Sequence, residues 1–373
     1  MTGTPTAARA GEPAPVRAAL EALLSAAPGA SAVAVGLYRG GQRSFAVRGS
    51  TAFEGGVPVE PSTRFEIGSL TKTFTALLFA ELAARGDAGH HDPAARFLPP
   101  GTRVPVRGTE ITLTHLATHT SGLPRLPPGL LRSGARRLLS NPYAAFTRAD
   151  VLRALARTRP RCRPGTRVHY SNFGVGLLGH ALCGASGGLP YEDLLDCRIL
   201  RPLGLHDSGA SPDPPPGVAQ VTGYWHGRPR PPFGIPGLPG AGAVRASARD
   251  LLTFIEALLE PGTAAVTGVP SAPLRTALED VVRPRLVVPR GTAQLALVWN
   301  IRPRPDGSRL YHHSGGTRGC TAFAGFSPRH DTALVALANC ASGYGNPLVQ
   351  RAYDTLTDLI RTSDTLTDLI RTG

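Results

Sequence analysis

The apolar positions follow two different periods along the chain. Near the N-terminus, residues 31–38 and 42–47 read as strands, and Gly40-Gly41 between them signals a β-hairpin. Residues 70–85 read as a helix: Leu70, Phe74, Leu77, Leu78 and Leu82 recur at helical spacing, and Gly86 ends the pattern. Between Phe74 and Ala80 no face of this helix carries a charge, so it should be buried. Before the hairpin, residues 16–24 carry Arg17 and Glu21 among apolar positions and read as an amphipathic helix.

From residue 87 to about 290 the pattern is helical and interrupted by Pro-rich loops. The helical segments are 149–156, 174–183, 191–200 and 248–259; the strongest loop stretches are 211–217 and 227–242. Strand patterns return at 293–301, 309–313, 320–326 and 332–338, and a last helix starts near Pro347. Strands at both ends with helices between predict an α/β chain of the α+β type. One antiparallel sheet is formed from both termini and flanked by helices, with a mainly helical region inserted. The expected divisions are an N-terminal extension and helix over 1–29, a sheet domain from 30–68 and 291–373, and a mainly helical region over 69–290. A cleft between sheet and helical region is the natural place for chemistry. The tail repeats itself, 354–362 being identical to 364–372, which reads as a local duplication lengthening the last helix.

Composition narrows the function. The chain has 373 residues, 42% of them apolar, enough for a large core. No run of 18 apolar residues occurs, and the start lacks the apolar stretch of a signal peptide, so a cytoplasmic protein without a membrane partner is expected. The net charge of +14 comes from arginines spread along the chain, with small clusters at 132–137 and 157–163. The 132–137 cluster has no interleaved aromatics, so no nucleic-acid partner is expected. Cys162, Cys183, Cys197, Cys320 and Cys340 include no C-x-x-C pair and are odd in number, which speaks against a zinc site or a disulfide framework. All but Cys320 read as small buried hydrophobes.

The sharpest chemical signal is Ser69-Leu70-Thr71-Lys72. Positions i and i+3 share a helix face, so the amine is brought towards the hydroxyl. Lys72 is the only lysine among 40 basic residues. In a chain that otherwise uses arginine, this points to a need for an amine that can lose its proton, which arginine does not. Burial and a helix N-terminus both lower a lysine pKa, and a neutral amine can act as general base on the serine.

Two further elements follow in order. Tyr170-Ser171-Asn172 offers a phenol that can relay protons and an amide that can hold substrate, although Ser171 or Asn172 could equally be a helix N-cap. His313-Ser314-Gly315-Gly316 ends a strand pattern, and its glycines would let a substrate approach backbone N–H groups closely; a plain hairpin turn is the alternative.

Together, the three elements resemble those of the penicillin-recognising serine hydrolases, which include class C β-lactamases, D-alanyl-D-alanine carboxypeptidases, D-aminopeptidases and related esterases. Segments 111–124 (ITLTHLATHTSGLP), 201–208 (RPLGLHDS) and 240–252 (GAGAVRASARDLL) look like the same family, so the resemblance covers roughly 30–360. It implies a β-lactamase/transpeptidase-like fold and an acyl-enzyme on Ser69. Lys72 and Tyr170 would share the proton transfers, and His313 would stand where β-lactamases of this group usually carry lysine. Asn172 would contact substrate and Lys72. The substrate would lie along Ser314, Gly315 and Gly316, with the N–H groups of Ser69 and Gly316 as the oxyanion hole. His313 is nearer to the carboxypeptidase and D-aminopeptidase branches than to true β-lactamases. Cys320 occupies a place where an aromatic is usual, so a different pocket wall is expected.

Other signals are weaker. Gly174-x-Gly176-x-x-Gly179 matches a dinucleotide fingerprint but lacks the buried strand before it, and reads as helix packing. The stretch 184–188 matches a nucleophile elbow but follows a helix, so it reads as a glycine C-terminus. His115 and His119 lie four apart with no glutamate between, and read as structural; His90-His91-Asp92 reads as a solvated loop. The expected activity is therefore acyl transfer from a small-molecule or short-peptide ester or amide through Ser69. It would be of esterase, carboxypeptidase or D-aminopeptidase type, with weak β-lactamase activity, and would use no cofactor or metal. The alternatives are a biosynthetic acyltransferase and a non-catalytic penicillin-binding relative.

Overall fold

The alternating strands near both ends meet in one sheet. The computed structural model describes residues 14–133, 141–262, 271–288, 291–343 and 345–372. Its strands are β1 (Ala32–Arg39), β2 (Gln42–Gly49), β3 (Arg64–Glu66), β4 (Gly223–Trp225), β5 (Arg228–Arg230), β6 (Arg245–Ser247), β7 (Leu286–Val287), β8 (Gln294–Leu295), β9 (Asn300–Pro303), β10 (Arg309–Gly316), β11 (Thr321–Ser327) and β12 (Thr332–Ala338). The 8-stranded sheet runs β2-β1-β12-β11-β10-β9-β8-β7, and every pairing in it is antiparallel. The hairpin forms where Gly40 and Gly41 supply φ of 56° and 78°. Pairing of β1 with β12 joins the two ends of the chain, Val33 lying opposite Ala338.

Strand alternation divides the core into two layers. Val33, Val35 and Leu37 of β1 pack with Leu334 and Ala336 of β12 against helix Ala14–Leu24 and helix Leu348–Thr372. Ala32, Ala34 and Tyr38 face the other way, into the core that holds helix Thr71–Arg85 and helix Ala248–Leu259. An aromatic column links that helix layer to the sheet. Phe74 stacks on Phe254 at 4.3 Å, Phe254 on Trp299 at 6.5 Å, and Trp299 meets Phe326 edge-on at 5.2 Å.

The structure revises some boundaries. The expected strand over 293–301 is two strands, β8 and β9. Between them Val298 takes a positive φ of 67° and donates to Ala117 O, and this turn buries Trp299 completely. The expected helix over 191–200 is an α-helix only to Leu195 and continues as a π-helical turn, Asp196–Leu200. The strand expected over 309–313 continues to Gly316. The tail repeat lies in the last helix, but side chains of its second copy, residues 1–13 of the N-terminal extension and most of the 132–137 arginine cluster lie outside the described residues. Among the described residues no helix is long and apolar enough to cross a membrane.

Candidate active site

Strand β3 delivers the chain to the serine. Gly68 then adopts φ 50°, and Gly68–Leu70 form a 3-10 turn ahead of helix Thr71–Arg85. Residues 71–82 of that helix are all buried, the polar Thr71, Lys72, Thr73, Thr75 and Glu81 among them. Lys72 is fully buried within it. Its Nζ lies 2.9 Å from Ser69 Oγ and donates to Ala241 O at 2.8 Å. Burial pushes the Lys72 amine below its ordinary pKa, and the Arg125 guanidinium pushes the same way, against the opposing pull of Tyr170. Glu66 braces the turn. It accepts from Thr317 Oγ1 at 2.6 Å and from the Phe233 N–H at 2.6 Å, tying β3 to the segment after β10 and to the Pro-rich loop.

Tyr170 and Asn172 enter through the start of helix Asn172–Ala185. Ser171 is the N-cap, its Oγ accepting from Gly174 N at 2.8 Å. The capping interpretation of this triplet therefore falls to Ser171, and the cap does not use the side chains of Tyr170 and Asn172. Lys72 Nζ sits 5.0 Å from the Tyr170 ring centroid. Burial raises the Tyr170 phenol, but Lys72, Ser69 and Arg125 together bring it below its ordinary pKa. Asn172 differs from expectation: it makes no hydrogen bond to Lys72. Ala241 O takes the amine, while Asn172 Nδ2 donates to Tyr143 Oη at 3.1 Å and Oδ1 is buried without a partner.

The third motif is a strand edge rather than a turn. β9 pairs with β10 only over Arg309–His312, so Ser314, Gly315 and Gly316 have an edge open on that side. This edge abuts the serine turn. A Cβ on Gly315 would lie 1.9 Å from Ile67 O and 2.9 Å from Ser69 N, and one on Gly68 would lie 2.5 Å from Gly316 O. Only glycines permit that approach. Gly316 is exposed and Ser314 half-buried. His313 is buried, with Nδ1 unpartnered, and burial aided by Lys72 and His119 drives its pKa well below the ordinary imidazole value, so it is neutral.

Several residues at the site carried no usable sequence signal for it. His119 reads from the sequence as structural, yet its ring lies 4.6 Å from that of Tyr170 and its Nδ1 accepts from Ser171 N at 3.2 Å. It holds a positive φ of 57°, a strained conformation of the kind that gathers at functional sites. Tyr143 and Arg125 come from loops, and Ala241 contributes only a carbonyl. The position of His119 within the 111–124 segment was the one available hint.

The weaker signals resolve as follows. Gly176 and Gly179 are packing positions: Cβ atoms there would meet Leu238 at 2.3 Å and Gly240 Cα at 3.2 Å. Residues 184–188 end a helix, with Gly187 and Gly188 at φ 72° and 88°. His115 Nδ1 closes a capping box with Thr112. His90 is not merely solvated, since its Nε2 meets Asp280 Oδ2 at 3.1 Å. All five cysteines are free; Cys197 is exposed rather than buried. Cys320 is completely buried in the core just before β11, which corrects its expected place in the pocket wall. Among the described residues no three His, Cys, Asp or Glu groups gather as a metal site.

This geometry can be set beside known proteins. A D-alanyl-D-alanine-carboxypeptidase/endopeptidase AmpH of Escherichia coli K12 is 37% identical over 187 residues, 50% of this chain and 47% of that protein, so the match spans about half of the relative's length. A β-lactamase of the same organism is 29% identical over 329 residues, 81% of this chain and 82% of that protein. A Yersinia pestis β-lactamase/D-alanine carboxypeptidase structure superposes with TM-score 0.75 at 22% identity, covering 91% of this chain and 96% of its own. A class C β-lactamase from Rhodobacter sphaeroides gives 0.74 at 27% identity, covering 93% and 99%. The profile of the family described as Beta-lactamase matches residues 17–358, and with the fold in agreement this chain belongs to the β-lactamase family.

Proposed function

We propose that the protein is a serine hydrolase that forms an acyl-enzyme on Ser69 from a short D-alanyl peptide or a small ester. The observation that carries this is the buried Lys72 amine 2.9 Å from Ser69 Oγ, anchored by Ala241 O. The amine takes the hydroxyl proton as Oγ bonds to the substrate carbonyl carbon. The N–H groups of Ser69 and Gly316, beside one another where the β10 edge meets the serine turn, receive the oxyanion. The proton passes through Tyr170 to the leaving amine or alcohol as its bond to the carbonyl carbon breaks. Water then attacks the acyl ester and restores Ser69. Asn172 and Tyr143 hold the acyl part, and Ser314 to Gly316 offer their open edge to the extended substrate. His313, neutral in place of a lysine, removes one positive charge from the cleft and favours carboxypeptidase or esterase chemistry over strong β-lactamase activity. The AmpH relative, named a carboxypeptidase/endopeptidase, supports the peptide substrate. A fluorophosphonate or penicillin probe tests the proposal. It should leave one adduct, on the peptide containing Ser69, and none in Ser69→Ala. Labelling that persists in that variant, or maps to Ser186, refutes it.

A further inference from the structure

Beyond Gly316 the chain holds an arrangement that the acyl-transfer steps do not use. Arg318 Cζ lies 4.8 Å from the Trp225 ring centroid, and Arg230 Cζ lies at the same 4.8 Å. Two guanidinium groups share one indole, and the backbone around Trp225 and Arg318 holds their contact in place. It does so in three ways. Tyr224 N donates to both Gly319 O and Asn339 O, at 3.0 and 2.9 Å. Gly223 and Gly319 are in such close contact that a Cβ on either would come within 2.8 Å of the other's Cα. Thr317, held by Glu66, accepts from Gly319 N and Cys320 N, which fixes the turn that carries Arg318.

Arg318 is half-exposed, and among the described residues no carboxylate lies within ion-pair distance of it. The Arg318 guanidinium lies over the indole, and among the described residues no hydrogen bond or ion pair engages its N–H groups. That is the presentation that suits a planar carboxylate bound through two parallel hydrogen bonds. The site is two residues past Gly316, on the same backbone that lines the substrate edge.

We propose that Arg318, stacked with Arg230 on Trp225, is a subsite for a carboxylate carried by the substrate at a distance from the scissile bond. This builds on the acyl-transfer proposal only in calling the ligand a substrate. The binding itself can be measured without turnover. The chain has two tryptophans, Trp225 and the fully buried Trp299, so ligand-dependent emission reports on Trp225.

Glutarate is the probe, with its uncharged diethyl ester as control, titrated into the wild-type protein and into Ser69→Ala. Glutarate should give a saturable emission change in both, weakened by added salt, and the diester none. Arg318→Ala should raise the apparent Kd about tenfold or more, and Arg318→Lys should restore it only in part, since an ammonium cannot stack or bond in a fork. Glutarate should also compete with a nitrophenyl ester for wild-type enzyme. The proposal is overturned if glutarate produces no change, if Arg318→Ala titrates like wild type while remaining folded by circular dichroism, or if glutarate binds without competing. It is also overturned if Arg125→Ala rather than Arg318→Ala abolishes binding. Ester hydrolysis that survives Ser69→Ala would instead strike the acyl-transfer proposal and leave the binding result standing on its own.

Discussion

At the scale of single residues, Lys72 separates charge from basicity. If only a positive charge were needed beside Ser69, arginine would serve, and the chain uses arginine everywhere else. If the group must accept a proton, guanidinium fails. Lys72→Arg is therefore expected to fold and to lose acylation by roughly 10²–10⁴, the usual contribution of a general base. Lys72→Met, which lacks both charge and basicity, controls for the larger volume of arginine. Rates with a nitrophenyl ester decide it, and an arginine variant close to wild type would move the base to Tyr170. The same logic sets the pH profile. Burial lowers the Lys72 pKa, so the neutral amine gains population as pH rises, and activity should climb on the acid side at a pH below that of an ordinary lysine. Ser69 and Lys72 were legible in sequence because their spacing is local to one helix. The Lys72–Ala241 bond was not, since a backbone carbonyl 169 residues away has no sequence signature.

At the scale of elements, the meeting of β10 with the serine turn is the critical contact. Gly315→Ala places a methyl 1.9 Å from Ile67 O, against the backbone of the serine turn, so relief requires the strand to move away from Ser69. The expected outcome is a loss of about 1–3 kcal/mol of stability, as for other overpacked sites, with a larger fractional loss of acylation rate. Denaturant unfolding and single-turnover acylation measure the two separately. Unchanged acylation in a folded variant would mean that the strand edge does not serve the reaction. Most elements were readable from period alone: the hairpin, helix Thr71–Arg85 and helix Ala248–Leu259. The exceptions have a common cause. The strand over 293–301 broke where Trp299 is drawn into the core beside Phe254, and β10 outran its pattern because glycines carry no periodicity.

At the scale of the whole molecule, buried histidines set the response to acid. Burial pushes His119 down to about 3, and His180 and His312 down to about 4. Each is neutral when folded, while the unfolded chain takes up a proton below about 6.5, so the stabilisation is present above that pH and is lost on acidification. Asp250 acts in the opposite sense. Burial and Asp207 raise it to about 7, so its contribution grows as pH falls from 7 towards the unfolded carboxyl value. By pH 5 each histidine costs roughly 2 kcal/mol, against a similar gain from the single carboxyl, a net loss on the order of a few kcal/mol. Thermal unfolding should show Tm several degrees lower at pH 5 than at pH 7. An equal or higher Tm at pH 5 would contradict this.

What the sequence determined by itself is what depends on near neighbours and on chemical type. A serine one turn before the only lysine, an apolar helix around them, and strands at both ends were enough to indicate the fold class and to single out Ser69 and Lys72 as the candidate pair. Only the tertiary structure decided which groups surround that pair. His119 joins the site through a left-handed backbone turn that sets its ring beside Tyr170, while Asn172 bonds to Tyr143 and Ala241 O takes the amine. Arg318 and Arg230, 88 positions apart, share one indole: Gly223 and Gly319 let β4 approach the turn that carries Arg318, and β5, which carries Arg230, pairs with β4. These contacts join segments far apart in the chain, and they are set by packing and by hydrogen bonds to backbone, to which residue order gives no local clue.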